Sequence, residues 1–151
     1  MRILMANKFL YPRAGAETYM LELSQALIKE GHQVAFFGMD HPDKTTLGKT
    51  YTIKPIDFSI QKNRFSKALQ LFNAAIQNLS IRKKFLSCCQ EFQPDIIHAH
   101  NIYNQLPPSL FKGIQTPVIM TAHDYKAVCP SYNLFSQGQN CTSCLKGSFT
   151  S

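Results

Sequence analysis

Short apolar runs alternate with helix-period segments along most of the chain, and this alternation constrains the fold more than any other feature of the sequence. Residues 2–6 are an apolar run that predicts a buried strand, and residues 33–38 predict a second one. Between them, residues from about 16 to 30 carry apolar side chains at helical spacing, and Gly31 stands where a helix end favours a left-handed residue. A strand, a helix and a strand in this order predict a parallel crossover unit.

A long helical pattern follows from about residue 62 to residue 92. Its apolar residues keep a three-four spacing as far as Leu79 and then change phase, which predicts either two helices or one bent helix. The periodicity ends after Asp124, and residues 125–151 are predicted to be an irregular, cysteine-containing loop region. The remaining predicted elements are a weak strand at 51–56, strands at 95–99 and 117–121, and a short helix at 106–112.

This order of elements predicts an α/β fold, in which an open, Rossmann-like parallel sheet carries helices on both faces. The length of 151 residues suits a single domain, 1–151. Because every strand of a parallel sheet points its carboxyl end to the same edge, ligands are expected to bind at that edge.

Polar residues collect at the carboxyl ends of three of the predicted strands. A single histidine in such a place is as often a hydrogen-bonded core or surface residue as a ligand-binding one, and His98 fits a buried position. Three polar strand ends on one edge nevertheless predict a ligand site there. The first strand ends at Asn7 and Lys8, the strand at 95–99 ends at His98, His100 and Asn101, and the strand at 117–121 ends at His123 and Asp124.

The loop that leads from the first strand into the first helix is rich in small residues, Ala14, Gly15 and Ala16. Small side chains let a ligand approach the backbone, and the free amides and dipole of a helix start favour a phosphate. The three-glycine spacing of a dinucleotide-binding loop is absent. The alternative is that these residues serve only the turn.

The chain carries a net charge of +7, which favours an anionic partner such as a phosphate, a nucleic acid or an anionic membrane surface. Many of the basic residues flank the long helical pattern, among them Lys62, Arg64, Lys67 and residues 82–84. A basic amphipathic helix predicts peripheral contact with a membrane, whereas the alternative is a core-facing stripe with a solvated basic side. Because this charge lies away from the polar strand ends, no nucleic-acid partner is predicted.

Neither an export signal nor a transmembrane span is recognisable in the sequence, so a cytoplasmic protein is expected. The five cysteines, an odd number, fit that expectation, and the adjacent pair at 88–89 is predicted to pack within a helix. Cys129, Cys141 and Cys144 leave two alternatives, a structural zinc site completed by a ligand such as His123, or no metal site.

Four further motifs follow one another along the chain: Pro12-Arg13-Ala14-Gly15-Ala16-Glu17 with Gly31-His32-Gln33-Val34, Pro94-Asp95-Ile96-Ile97-His98-Ala99-His100-Asn101, Thr121-Ala122-His123-Asp124-Tyr125, and Cys129-Pro130 with Cys141-Thr142-Ser143-Cys144. In this order they resemble the N-terminal part of glycosyltransferase family 4. The resemblance covers nearly the whole chain and is least diagnostic in its middle third. One departure is Ala14, which replaces the first glycine of the family's usual Gly-Gly pair, whereas Gly15 is retained.

The resemblance implies one half of a GT-B fold, in which two Rossmann-like domains face each other across a cleft. Residues 1–151 would be the acceptor-side domain of a retaining glycosyltransferase that moves a sugar from a nucleotide-sugar donor to a glycan or lipid-linked acceptor, in cell-envelope polysaccharide synthesis. The C-terminal donor-binding domain would be absent, so this chain alone would be an inactive fragment. Neither a metal nor a cofactor is implied for the transfer. The alternative is a non-catalytic single-domain module that binds a nucleotide-sugar, a glycan or zinc.

The resemblance also implies a role for particular residues. His123 would be the catalytic residue and would contact the transferred sugar near the reacting carbon. The donor-phosphate loop would consist of Gly15, Ala16 and Glu17. The acceptor and sugar pocket would be lined by Asn7, His100, Asn101, Asp124 and Tyr125.

Overall fold

The computed structural model describes residues 1–54, 64–103, 106–126, 128–129, 131–142 and 144, and for residues 64–77 it describes the backbone only. The chain divides into two compact units, Met1–Thr121 and Ala122–Ser151. The first unit contains a five-stranded sheet with its helices, and the second contains a small hairpin.

The sheet of the first unit consists of β1 (Arg2–Phe9), β2 (Gln33–Met39), β3 (Lys49–Ile53), β4 (Ile96–Ala99) and β5 (Val118–Met120). All four pairs of neighbours are parallel, and the strand order is β3-β2-β1-β4-β5. The chain runs outward from β1 to β3 on one side and then crosses to β4 and β5 on the other, so the order reverses between β1 and β4. Open α/β sheets bind ligands at such a reversal.

Helices cover both faces of this sheet, which confirms the predicted Rossmann-like α/β fold. α1 (Gly15–Lys29) packs on one face, and α2 (Arg64–Phe92) packs on the other together with a 3-10 helix at Pro108–Phe111. Alternate residues of a strand point to opposite faces, so each inner strand serves two cores. The core on the α1 side consists of Ile3, Met5, Leu10, Met20, Val34 and Phe36. The core on the α2 side includes Leu4, Ala6, Ala35, Phe37, Ile81, Phe85, Ile97, Ala99 and Leu110.

α1 ends at the glycine that the sequence indicated. Gly31 has a φ of 84°, and its amide donates to the carbonyl of Ile28 at 3.0 Å. The amide of His32 donates to the carbonyl of Leu27, also at 3.0 Å. These two bonds form a Schellman-type end, which turns the chain directly into β2.

α2 is one uninterrupted helix over Arg64–Phe92, and the change of apolar phase that the sequence predicted after Leu79 is confirmed in its C-terminal half. The residues that enter the core there are Ile81, Phe85 and Cys88, whereas Leu79, the last member of the predicted stripe, is 68% exposed. The predicted packing role of the cysteine pair is confirmed, because Cys88 is buried and Cys89 is half-buried against the same core. Burial raises the pKa of both thiols, that of Cys89 to about 11.

The other element bounds differ from prediction by a few residues. β1 continues to Phe9, so Asn7 and Lys8 lie within the last residues of this strand and not after it. The weak strand predicted at 51–56 is β3, and the short helix predicted at 106–112 is a 3-10 turn. Residues 55–63, where the long helix was predicted to begin, lie outside the described residues.

The second unit contains a hairpin that the sequence pattern did not predict. β6 (Phe135–Ser136) pairs antiparallel with β7 (Gln139–Asn140). The two residues between them, Gln137 and Gly138, have φ values of 51° and 79°. Two consecutive positive φ values are typical of the tight turn that matches the twist of a hairpin.

The aromatic contact between α2 and the sheet is expected to dominate the stability of the first unit. The buried ring of Phe85 meets Phe37 edge-on at 4.9 Å and Phe111 at 5.5 Å. Phe85→Ala should lower the free energy of unfolding by about 3–5 kcal/mol, measured by urea denaturation, because it leaves a cavity between the two remaining rings, Phe37 and Phe111. Lys84→Ala, one residue away on the exposed side, should change it by no more than roughly 0.5 kcal/mol. Equal losses for the two variants would contradict this packing.

Candidate functional site

A buried polar network lies at the reversal of strand order. The Asn7 side chain, at the end of β1, is fully buried, and its Nδ2 donates to the carbonyl of Phe9 at 2.8 Å and to Oε1 of Glu17 at 3.4 Å. Its Oδ1 accepts from the backbone amide of Asn101 at 3.0 Å. The Asn101 Nδ2 also donates to Glu17 Oε1, at 3.3 Å. The network therefore joins the end of β1, the first turn of α1 and the loop after β4.

Glu17 is the centre of this network and is only 3% exposed. It is the third residue of α1, where the positive end of the helix dipole favours a carboxylate. One of its oxygens accepts from two side-chain amides, and hydrogen bonds to a charged acceptor are stronger than those between neutral groups. A buried carboxylate that holds two asparagines suits a positioning role, and its charge would repel a phosphate. The predicted contact of Glu17 with the donor phosphates has no direct test and stays a prediction.

The start of α1 is open to solvent. α1 begins at Gly15, and Ala14, which precedes it in an extended conformation, has no side-chain oxygen with which to cap the helix. A methyl group built on Gly15 would meet no other atom within 4 Å. Packing within the chain therefore does not require glycine at this position, and the small side chain leaves the first amides of α1 approachable by a ligand.

Basic side chains lie beside this helix start. The guanidinium carbon of Arg13 lies 4.1 Å from the centre of the Phe9 ring, and the Lys8 Nζ lies 4.7 Å from it. Such cation–π contacts hold the two charges near the ring and make the edge electropositive. No role was predicted for Phe9 or Arg13, although an aromatic residue between Lys8 and Arg13 is a signal visible in the sequence.

The two histidines of β4 and its loop are buried. His98 is 8% exposed, and its Nε2 shares a hydrogen bond of 2.8 Å with Thr121 Oγ1, which agrees with the core alternative considered for it. His100 is 2% exposed, with its ring 4.2 Å from that of His98 and 6.2 Å from that of Tyr19 on α1. This burial leaves His100 little surface for an acceptor, so Asn101, which is half-buried, is the better placed of the two predicted pocket residues.

His123, Asp124 and Tyr125 follow β5 in sequence and belong to the second unit. The Asp124 Oδ1 accepts from the amide of Lys126 at 2.9 Å, which is typical of a turn that the aspartate itself stabilises. The ring of Tyr125 is exposed, and its carbonyl accepts from the amide of Cys129 at 2.8 Å. The structure thus brings Asn7, Glu17 and Asn101 together in the first unit, and the association of these later residues with them stays a prediction.

The cysteines of the second unit line one cavity of about 590 Å³. Its walls also include exposed apolar side chains such as Val128. Over the part of the chain that the structure describes, no group of three or more histidine, cysteine or acidic side chains is arranged to hold a metal ion. A shared cavity without converging ligands does not fit the tetrahedral geometry of zinc, so the zinc alternative has no support. The thiols are those of Cys129, Cys141 and Cys144.

The strand order defines the class of the first unit: a Rossmann-like domain, in which a ligand is expected outside the carboxyl ends of β1 and β4. Residues 13–139 match the family model of Glycosyltransferase Family 4. Because the match covers most of the chain, the chain belongs to Glycosyltransferase Family 4.

Individual relatives agree with this assignment. The chain is 27% identical to an uncharacterized 42.6 kDa protein in the cps region of Klebsiella pneumoniae, over 91% of this chain and 40% of that protein. The solved glycosyltransferase SsfS6 of Streptomyces sp. SF2575 is similar with a TM-score of 0.55 and 18% identity, over 83% of this chain and 40% of that one. The sucrose-phosphate synthase of Thermosynechococcus elongatus is similar with a TM-score of 0.59 and 16% identity, over 90% of this chain and 36% of that one. The chain therefore spans 40% or less of these relatives, and the fold is that of one half of a GT-B glycosyltransferase.

The contribution of the Asn7–Glu17–Asn101 network to the free energy of unfolding should be measurable. Glu17→Ala removes an acceptor that both asparagine side chains share and should lower the free energy of unfolding by about 1–3 kcal/mol, because the Asn101 amide loses this bond and the buried Asn7 amide keeps only the Phe9 carbonyl. Glu22→Ala is the matched control, since Glu22 is exposed on the same helix. Urea denaturation measures both changes, and the side-chain amide resonances of Asn7 and Asn101 should shift only in the Glu17 variant. Similar behaviour of the two variants would contradict the network.

Proposed function

We propose that this chain is the N-terminal, acceptor-side domain of a retaining glycosyltransferase that moves a sugar from a nucleotide-sugar to a glycan or a lipid-linked acceptor. The observation that carries the proposal is the buried Asn7–Glu17–Asn101 network, in a family 4 chain, beside an open helix start at the reversal of strand order. This arrangement sets an anion-binding surface and a polar pocket next to each other on one edge.

The proposed mechanism assigns a different task to each part of the site. The amides at Gly15 and Ala16, with the α1 dipole, attract the donor diphosphate, and the nearby charge of Arg13 adds to that attraction. Asn7 and Asn101, held by Glu17, orient an acceptor hydroxyl. His123 stabilises the positive charge that develops on the sugar as its bond to the diphosphate breaks.

The transfer itself is a substitution at the anomeric carbon of the sugar. The bond between this carbon and the diphosphate oxygen breaks, and the acceptor oxygen forms a bond to the same carbon. The acceptor proton goes to the departing phosphate, so charge and atoms balance. Retention of configuration means that the acceptor attacks from the face that the diphosphate leaves.

The wider role is proposed from the relatives. A relative in a cps region supports a place in polysaccharide synthesis. Relatives more than twice as long as the matched part support a second, donor-binding domain as a requirement for activity. We therefore expect residues 1–151 alone to bind ligands but to transfer no sugar, and sugar transfer by the purified chain would contradict this. A cytoplasmic location stays a prediction.

Phosphate binding at the start of α1 can be tested on the chain itself. Gly15→Ala fits the free space in the protein but adds a methyl group where the diphosphate should approach. It should weaken binding of a nucleoside diphosphate roughly tenfold, without loss of stability, in a calorimetric or NMR titration. Ala14→Gly, which restores the family's glycine pair, should strengthen binding.

Three outcomes of this titration are informative. Unchanged affinity in Gly15→Ala would remove the helix start from the donor site. If the chain binds the nucleoside diphosphate but no acceptor sugar, the alternative of a non-catalytic module that binds a nucleotide-sugar would be favoured. Amide shifts at Asn7 and Asn101 on addition of an acceptor oligosaccharide would support the acceptor-side assignment.

The role of His123 requires an enzyme in which this region is joined to a donor-binding domain. There, His123→Ala should lower kcat by about a hundredfold, as the loss of a charge-stabilising group does in other transfer reactions. His32→Ala is the matched control, because His32 precedes β2 at the amino edge of the sheet. Turnover of His123→Ala at the level of the control would show that the assigned role is wrong.

A further inference from the structure

α2 carries apolar residues on two opposite sides. Successive residues of an α-helix are about 100° apart, so residues two apart differ by about 200°. Leu79 and Lys83 therefore lie opposite Ile81 and Phe85, which face the core. Leu79, the last residue of the stripe predicted from the sequence, thus lies on the side of α2 that faces away from its own sheet.

The described part of this outer side is exposed and shallowly concave. Leu79 is 68% exposed, Lys83 is exposed and Leu86 is half-buried. Together with Arg82, Ser87 and Gln90 they border a depression of about 440 Å³. Two leucines and a lysine on the outer side of one helix are an arrangement typical of helices that lie at a membrane–water interface.

Arg82, by contrast, has a structural task. Its guanidinium donates to the carbonyl of Ser109 at 2.8 Å and to that of Lys112 at 2.7 Å, which caps the end of the 3-10 helix. Lys83 and Lys84 are the exposed basic residues of this segment. Within residues 78–92, whose side chains the structure describes, the basic surface of α2 is therefore centred on Lys83.

The charge of α2 is almost entirely positive. Its single acidic residue, Glu91, lies near the C-terminal end and pairs with Lys49 of β3. Contact between the same sides of two copies would bring Lys83 of one copy towards Lys83 of the other, and like charges repel. An anionic surface complements the same side. Among the described helices, none is long and apolar enough to cross a membrane.

We propose that the outer side of α2, marked by Leu79, Lys83 and Leu86, docks on an anionic lipid surface. The apolar side chains enter the boundary between headgroups and acyl chains, and Lys83 contacts the headgroups. This docking is independent of the sugar-transfer proposal, because it involves neither the carboxyl edge of the sheet nor any nucleotide.

The test is vesicle flotation of the 151-residue chain. The probes are vesicles of phosphatidylcholine alone and of phosphatidylcholine with an equal part of phosphatidylglycerol, at low and at high salt. The chain should float with the anionic vesicles only, and less so at high salt. Lys83→Glu and Leu79→Glu should each lower the bound fraction about fivefold or more, since one basic residue near such a surface contributes about that factor.

Lys29→Glu is the matched control. It makes the same charge change as Lys83→Glu but lies in the last turn of α1, on the opposite face of the sheet, and should lower binding by no more than roughly twofold. Both target residues are exposed, so circular dichroism and the unfolding midpoint should stay unchanged. Absence of flotation by the wild-type chain at low salt would overturn the proposal, as would equal loss in the control. Self-association that Leu79→Glu abolishes, without lipid binding, would also overturn it and identify a second copy as the occupant.

Discussion

The hydrogen bonding of β1 on both of its edges is the constraint on which the rest of the molecule depends. β1 pairs in parallel with β2 on one side and with β4 on the other. Parallel neighbours cannot be joined by a tight hairpin, so the chain must cross the sheet each time, and helices must cover both faces. The same pairing makes the strand order reverse at β1, and the carboxyl end of that strand, where Asn7 lies, becomes the floor of the candidate site.

Glu17 shows how this site tolerates a buried charge. Burial of a carboxylate is costly unless hydrogen bonds and favourable dipoles replace water. Here the first turn of α1 supplies the dipole, and Asn7 and Asn101 supply the donors. The same three residues tie the helix start, proposed to face the donor phosphates, to the loop proposed to face the acceptor. A displacement of the helix start would therefore also displace the loop after β4, on the other side of the proposed transfer site.

Local sequence patterns predicted the helices and strands well, but they predicted poorly which side chains contact each other in the fold. The apolar runs of β1, β2 and β4 lay in the sequence within a few residues of their bounds, because burial on both faces produces continuous runs. The apolar run of β5 was also recognised, although this edge strand is exposed. β3 was weak because it is mostly half-buried. The inward direction of Glu17 could not be predicted, since it depends on Asn101, 84 residues later. The change of apolar phase along α2 was predicted, but the series that meets the sheet could not be, because two apolar series lie on one helix and only the sheet selects between them.

The bonds of the network also determine when the site can form during folding. Asn7 and Asn101 are 94 residues apart in the chain, and Glu17 and Asn101 are 84 apart. Contacts between such distant residues close large loops, so their entropy cost comes before their stabilisation, and they raise the contact order. During synthesis, β1, α1 and β2 emerge long before residue 101 and can pair early, but Asn7 and Glu17 then lack their partner. The candidate site is therefore a late product of folding, and its amide signals should report completion of the fold.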